Sequence, residues 1–429
     1  MQDTATRLAA WVQSLTPSSS ERQAADVALL DTVAVAVAGM DQPVAALVED
    51  APEAARWATI AHVLDYDDLH VPSTTHVSVV CVPATLATSG SAHAYLAGAG
   101  VMARVGRILG WPHYSAGWHA TCTAGALGAA VSAGVAYGLD QDGLARAMAL
   151  ALPGAGGVQR VFGTMGKSLQ VGFAVASGVR AAQLARAGAT VDTSALEQWL
   201  ALMRGTPVDA ATVEAELSDP AAIPGGVATK VYPCCYALQR PICAMARLRP
   251  IDPATVQCIE VRTPLASVQP LIHHEPTTGL AAKFSLEYAV AAALLDARTG
   301  FASFTDEAVR RPAAQQLLRR VTHVEACAGN PAAPAPEGTD LLTGSFEGDV
   351  HFVDGSCRQV SLVAPLGSPS HPMTVHDLRD KVADCCGDHA EDVLQAGWRT
   401  ALPLLRDIQA RRDRTARRDA HGREGWIRG

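Results

Sequence analysis

The stretch AGALGAAVSAGVAYGL, residues 124–139, is apolar from end to end and made almost entirely of small side chains. It is shorter than the ~20 residues a membrane span needs. Gly125, Ala129, Ala133 and Gly134 would let neighbouring helices approach closely, so the stretch reads as the central helix of a packed bundle. Composition agrees. Apolar residues make up 49% of the 429 positions and aromatics only 5%, so the core must be built from Ala, Val and Leu. That favours helices over aromatic-rich strands.

Upstream, GWPHYSAGWH (110–119) reads as a loop and places His119 just before the start of that helix. Helix starts attract anions through their free N–H groups and dipole. Further back, Ile60–Ala87 packs Asp65, Asp67, Asp68, His62, His70 and His76 between two apolar runs. Charged groups are seldom carried into such a place unless paired or employed. Residues 1–50 read as two or three helices, with Ser18–Glu21 as a cap before Arg22–Gly39. Downstream, the turn Gly163–Lys167 sets Lys167 near the start of a helix, Val171–Ala189. It is not a P-loop, because Val161 stands where the first glycine would be. Leu196–Ser218 reads as helical, and the prolines and glycines of 220–226 mark a boundary.

Beyond it, Thr229–Pro233 leads to a helix from about Ala237, and Cys258–Thr263 alternates as a strand. Leu280–Leu295 reads as one helix carrying Lys283 and Tyr288. Asp349–Leu362 reads as a hairpin about Asp354-Gly355. Thr374–Asp377 resembles a capping box opening the next helix, and Arg411–Gly429 reads as a solvated basic tail. The fold class is therefore mainly α, an all-helical body interrupted by an α+β insertion. The expected division is 1–224 helical, 225–372 α+β, and 373–429 helical with the basic tail.

The net charge of −8 gives no reason to expect a nucleic-acid or membrane partner. Met1-Gln2-Asp3-Thr4 lacks the basic start and apolar run of a signal peptide, so a cytoplasmic location is expected. The ten cysteines show no C-x-x-C spacing, which leaves no zinc-ribbon or standard iron–sulfur pattern. They read as reduced, small hydrophobes. Four lysines, Lys167, Lys230, Lys283 and Lys381, stand against thirty arginines. A bias towards Arg would leave lysine mainly where a compact charge is required. Lys381, beside Asp380, reads as a solvated ion-pair partner.

The acids and imidazoles of 60–87 could hold a metal, contact a substrate, or simply cap helices. Taken with lysines near helix starts, they suit a small polyanion that gives up an α-proton or a carboxylate. Cations would hold its carboxylates, and imidazole or carboxylate would move the proton.

Five stretches taken in order resemble the MmgE/PrpD family: HVLDYDDLHVPSTTHVS, GWHATCTAGALGAA, GTMGKSLQVGFAVASGVRAAQLA, KVYPCC and AAKFSLEYAVAAALLD. The family includes 2-methylcitrate dehydratase, cis-aconitate decarboxylase and iminodisuccinate epimerase. The resemblance implies a large helical domain formed by both chain ends, with a smaller α+β lid inserted. It also implies a homodimer and no metal or organic cofactor. Carried over by motif, the catalytic residues would be Asp65, His76 and His119, with Lys167, Lys230 and Tyr288 binding substrate. The function implied is a cofactor-independent lyase for a small di- or tricarboxylate, closest to 2-methylcitrate dehydratase. Decarboxylation of cis-aconitate or epimerisation of iminodisuccinate is the alternative within the family. A helical dimer that only binds a metabolite is the alternative of another class. This chain departs from the usual pattern at Val77 (usually Pro), at Ala120 and Cys122 (usually H-P-T-G), and at Gln170 (commonly His). It is also shorter than usual between Val44 and Ile60.

Overall fold

A computed structural model describes residues 2–325 and 345–426, the last of these, 415–426, by backbone alone. The chain is mainly helical, with one small sheet. The Ala120–Ala136 helix is buried along nearly its whole length and lies at the centre of the larger core, as its small residues predict. Two glycines show why. A Cβ on Gly98 would lie 2.0 Å from Ser132 Oγ, and one on Gly178 would lie 2.3 Å from the Ala126 carbonyl oxygen. Neither crossing tolerates a side chain, so the Ala92–Ser115 and Gly166–Arg186 helices press directly on the central one.

Around it stand Ser19–Gly39, Glu53–His62, Val77–Ala87 and Gln141–Ala151. The larger core also takes in Leu378, Val382, Leu402 and Ile408 from beyond the sheet. One contact in that joint corrects the sequence reading. Lys381 is not solvated: it is 2% exposed, 2.6 Å from the buried Asp31 carboxylate, and donates to the Tyr66 carbonyl at 2.8 Å. It lies on the Val375–Cys386 helix, whose first turn carries the expected capping box at Thr374 and Asp377.

A second core forms around β1 (Val256–Thr263), β2 (Val321–Glu325), β3 (Phe346–Phe352) and β4 (Cys357–Leu362), in the order β2-β1-β3-β4. β1 runs parallel to β2 and antiparallel to β3. β3 and β4 are the hairpin read from the sequence, turning at Gly355 with φ +84°. The Leu286–Leu295 helix, apolar apart from Glu287 in its first turn and Tyr288 after it, is buried between these elements.

Three helix readings change. Gly110 takes φ +64° and breaks the Ala92–Ser115 helix, which restarts through Pro112 where a loop was expected. Ser285 caps Tyr288, so Leu280–Leu295 is two helices, Gly279–Ala282 and Leu286–Leu295. Gly205, at φ +82°, divides Leu196–Ser218. The Ala401–Trp426 helix runs through most of the expected tail, although residues 427–429 and the side chains of 415–426 lie outside the described part. Among the described residues no helix is long and apolar enough to cross a membrane.

Candidate active site

The six polar groups of 60–87 are all buried, from 0% exposed (Asp67, His70) to 7% (His76). The Glu53–His62 helix ends at the cluster, and the chain then turns through Asp65, whose φ is +52°. Thr74 nearby has φ +55°. Two residues in the left-handed region beside one cavity are backbone strain of the kind found at functional sites.

Asp65 is held by cations from far along the chain. Its Oδ1 accepts from Lys167 Nζ at 3.0 Å and Lys230 Nζ at 2.9 Å, and Lys230 also donates to the Asp65 carbonyl at 2.7 Å. Burial alone would push this carboxyl up, but Lys167 and Lys230 hold it well below the usual range. Asp67 Oδ2 lies 2.9 Å from His62 Nδ1 and 2.8 Å from His76 Nδ1. Burial is outweighed there too, and the two imidazoles keep the Asp67 carboxyl low. Lys167 also donates to His62 Nε2 at 2.8 Å, so the His62 proton sits on Nδ1, towards Asp67.

His76 and His119 are each the residue before a helix, Val77–Ala87 and Ala120–Ala136, and Lys167 is the second residue of Gly166–Arg186. Three helix N-termini therefore converge on one place, each presenting positive dipole ends. Burial drives the His76 imidazole down to about 3 and the His119 imidazole well below its ordinary value. Both are neutral at pH 7. His76 Nδ1 lies 2.8 Å from Asp67 Oδ2, and the carboxylate draws the ring proton to that nitrogen although the two are not aligned as a hydrogen bond; Nε2, 3.7 Å from Asp65 Oδ1, is left with the lone pair. Asp65 Oδ2, Asp67 Oδ1, His76 Nδ1 and His119 Nε2 are buried and have no hydrogen-bond partner. Buried polar atoms without partners are uncommon, and here Asp65, His76 and His119 border a cavity.

That cavity, about 30 Å³, is walled by Asp65, His76, His119 and Lys167 on one side and by Cys235, Tyr236, Pro270 and Phe284 of the sheet-containing part on the other. It has room for about two waters and is far below the roughly 300 Å³ where ligand pockets begin. A larger cavity, about 500 Å³, lies between Ser20–Ala28 and Pro372–Leu378. Its walls are mostly apolar, and its one deeply buried carboxyl, Asp68, takes its bonds from Ser78. The smaller cavity is the one that gathers the titratable groups of the cluster.

Four of the six expected site residues, Asp65, His76, His119 and Lys167, line this cavity. Lys230 is fully buried behind Asp65 and spends its contacts there, so in this state it touches Asp65 and not the cavity. Tyr288 does not join the group. Its hydroxyl donates to the Ser303 carbonyl inside the second core, and its ring packs on Phe304. Lys283, next to the expected position, is likewise turned inward and donates to the Pro233 carbonyl. His62 and Asp67 carried no site assignment in the sequence and read as supports for Asp65 and His76; they pair with each other, and Asp67 also lies against His76. Phe162 and Phe284, which flank the Lys167 ammonium at 5.2 Å and 5.5 Å, carried no signal.

The ligand atoms of His62, Asp65, Asp67 and His76 lie within 4.8 Å of one another, close enough to hold a metal ion. Lys167 and Lys230 already donate to Asp65, and Lys167 to His62, so a metal would have to displace two ammonium groups. The donor set fits an ion-pair network better. Glu260, Asp349 and His351 form a second such group on the sheet, where Arg262 binds Asp349 and Glu347.

The chain matches family models over residues 48–205, the MmgE/PrpD N-terminal domain, and 232–401, the MmgE/PrpD C-terminal domain. It belongs to the MmgE/PrpD family. Membership points to a dehydratase- or lyase-type enzyme. No curated protein matches the chain. The MmgE/PrpD N-terminal match holds Asp65, His76, His119 and Lys167, and the gap between the two matches holds Lys230.

The buried imidazoles make stability depend on pH. His62, His70, His76 and His119 are all lowered by burial, His70 to about 4 and His76 to about 3. Unfolded imidazole takes up its proton near 6.5. Below that the unfolded chain binds protons that the folded chain refuses, so stability is complete above about pH 6.5 and falls as pH drops. Asp68, raised to about 7 by burial, works in the opposite direction between its ordinary value and 7, and Asp31 and Glu216, also raised by burial, act in the same sense as Asp68. Four imidazoles outweigh these three. The thermal midpoint should fall between pH 7.5 and pH 5.5, and a flat or rising midpoint would count against neutral imidazoles.

Proposed function

We propose that the protein is a cofactor-independent lyase acting on a small di- or tricarboxylate, with dehydration of the 2-methylcitrate type as its reaction. The observation that carries this is the convergence of three helix N-termini and the Lys167 ammonium on a cavity bordered by two neutral imidazoles. In charge the cluster is balanced: Asp65 and Asp67 offset Lys167 and Lys230. An incoming anion is therefore favoured by the helix ends and by Lys167, which can turn from Asp65 towards it.

A substrate carboxylate would bind at Lys167 and the helix starts. His76 Nε2, with its lone pair, would take the proton from the carbon beside that carboxylate. Lys167 and the helix dipoles would stabilise the charge that develops, and Asp65 and Asp67 would stabilise the imidazolium. His119 would then give its Nε2 proton to the departing hydroxyl, which leaves as water; the imidazolate of His119 and the imidazolium of His76 would both return to neutral by proton exchange through water as the product leaves. Decarboxylation of cis-aconitate and epimerisation of iminodisuccinate need the same carbanion and donor and form the alternative reading. Lys230 serves this scheme by keeping Asp65 ionised and in its left-handed conformation.

The cavity is too small for such a substrate, so the enclosing wall must open. We assign that motion to the α+β segment, residues 225–372, acting as a lid on the helical part formed by both chain ends. A homodimer, as usual in the family, completes the reading, and light scattering would test it. The function is tested by incubating EDTA-treated protein with 2-methylcitrate, citrate, cis-aconitate and iminodisuccinate and following products by NMR. Turnover of at least one is expected. Binding without turnover of any would favour a metabolite-binding dimer, and activity abolished by EDTA would overturn the metal-free scheme.

A further inference from the structure

Two of the positions where this chain departs from its family's usual pattern, Cys122 and Gln170, meet at a single atom. Gln170 Nε2 lies 2.6 Å from His119 Nδ1, and Cys122 Sγ lies 3.2 Å from the same nitrogen. Gln170 is one turn beyond Lys167 on the same helix, and Cys122 is in the first turn of the helix that His119 precedes.

The orientation of the Gln170 amide is fixed by backbone. Its Oε1 accepts from Val158 N at 3.0 Å, and its Nε2 donates to the Val158 carbonyl at 3.3 Å. Turning the amide over would set oxygen against oxygen and N–H against N–H. The group facing His119 Nδ1 is thus a donor. Cys122 is fully buried, and burial pushes its thiol up, so it too keeps a proton to offer. The strand-like bridge Trp118–Val158 and the bond from His119 N to the Gly157 carbonyl at 2.9 Å hold both partners in register. Gly157, at φ +144°, makes the packing possible, since a Cβ there would lie 2.8 Å from that of Cys122.

We propose that Gln170 and Cys122 are positioning residues that hold His119 in the Nε2–H tautomer, so that it meets the substrate as a proton donor and not as a base. Nδ1 receives donors on one side, and Nε2, buried and without a partner, carries its hydrogen beside the cavity. His76 has the opposite surroundings: its Nδ1 lies 2.8 Å from the Asp67 carboxylate, which favours the proton there and the lone pair on Nε2. One acid and one base are thereby set by the residues behind each ring, as in other sites where second partners choose the tautomer. The mechanistic half of this inference rests on the proposed lyase reading; the tautomer itself does not.

The test uses the full chain with 15N-labelled histidine and long-range 1H–15N spectra, with the His119 signals assigned by their loss in His119→Asn. Wild type should show a lone pair on Nδ1 and a proton on Nε2. In the double variant Cys122→Ala/Gln170→Leu the fixed tautomer should give way to a mixture, and in Gln170→Leu alone the shift should be partial. With a turned-over substrate, the kcat of the double variant should fall roughly 30-fold at pH 7.5. KM should stay within about threefold. A proton on Nδ1 in wild type, or an unchanged tautomer in the double variant, would overturn the inference even if turnover is found. Failure of turnover with the expected spectra would overturn only the lyase reading.

Discussion

Lys167→Met should lower kcat/KM for the carboxylate substrate by about a thousandfold while leaving the chain folded. Lys167 is the one ammonium that both lines the cavity and stands at a helix start. At about 4 Å and an effective dielectric near 20, its attraction for a substrate carboxylate is about 4 kcal/mol, which corresponds to about three decades in rate. Its removal also leaves Asp65 and Asp67 facing the substrate with only Lys230 to balance them. If Lys167 were merely the counterion of Asp65, the loss would appear as a lower thermal midpoint, with kcat/KM changed less than tenfold. Steady-state kinetics and melting of one preparation separate the two.

Lys381→Met should destabilise the chain by about 3–5 kcal/mol at pH 8, the usual cost of removing one partner from a buried ion pair. Asp31 is 1% exposed, and burial already pushes its carboxyl above the ordinary range against the pull of Lys381. Without that ammonium the carboxyl rises further. A carboxyl whose folded value is raised costs stability only where the unfolded chain is ionised, so the penalty should shrink as pH falls from 8 to 6. Asp31→Asn/Lys381→Met, which removes both charges, should lose less than the single change. Urea titrations at the two pH values check both statements. Activity should suffer too, because Lys381 braces the Tyr66 carbonyl and lies 4.0 Å from the Tyr66 ring centroid, between Asp65 and Asp67.

That pair shows what a single sequence conceals. Lys381 sits among Asp380 and Asp384 in a helix of low hydropathy, and only the docking of that helix on Asp31, some 350 positions earlier, buries it. Local signals served well where the cause was local. Small residues marked the central helix, Ser18 and Thr374 marked caps, and Asp354-Gly355 marked the hairpin. They failed at Gly110, where one left-handed residue lets a helix restart through Pro112.

The site divides in the same way. His76, His119 and Lys167 come together on the cavity because each stands at a helix start, and Asp65 joins them through the left-handed turn that follows Glu53–His62. Lys230, expected to bind substrate, instead pairs with Asp65 from behind, a placement that depends on the bridge between Leu69 and Ala228. Tyr288 was placed by motif alone. The cap at Ser285 turns it into the second core, onto Ser303. Gln170 and Cys122 stood out in the sequence only as departures from the usual pattern, and they converge on His119.

The central claim is that this cavity moves a proton at a carbon next to a carboxylate. Dehydration, decarboxylation and epimerisation all pass through that event. Incubation in D2O with the four-compound panel, read by 1H and 2H NMR, tests it most directly. The account predicts deuterium at a C–H beside a carboxylate in at least one compound or its product, and none with Lys167→Met. No deuterium in any compound that binds the wild-type protein, or equal incorporation by the variant, would contradict it.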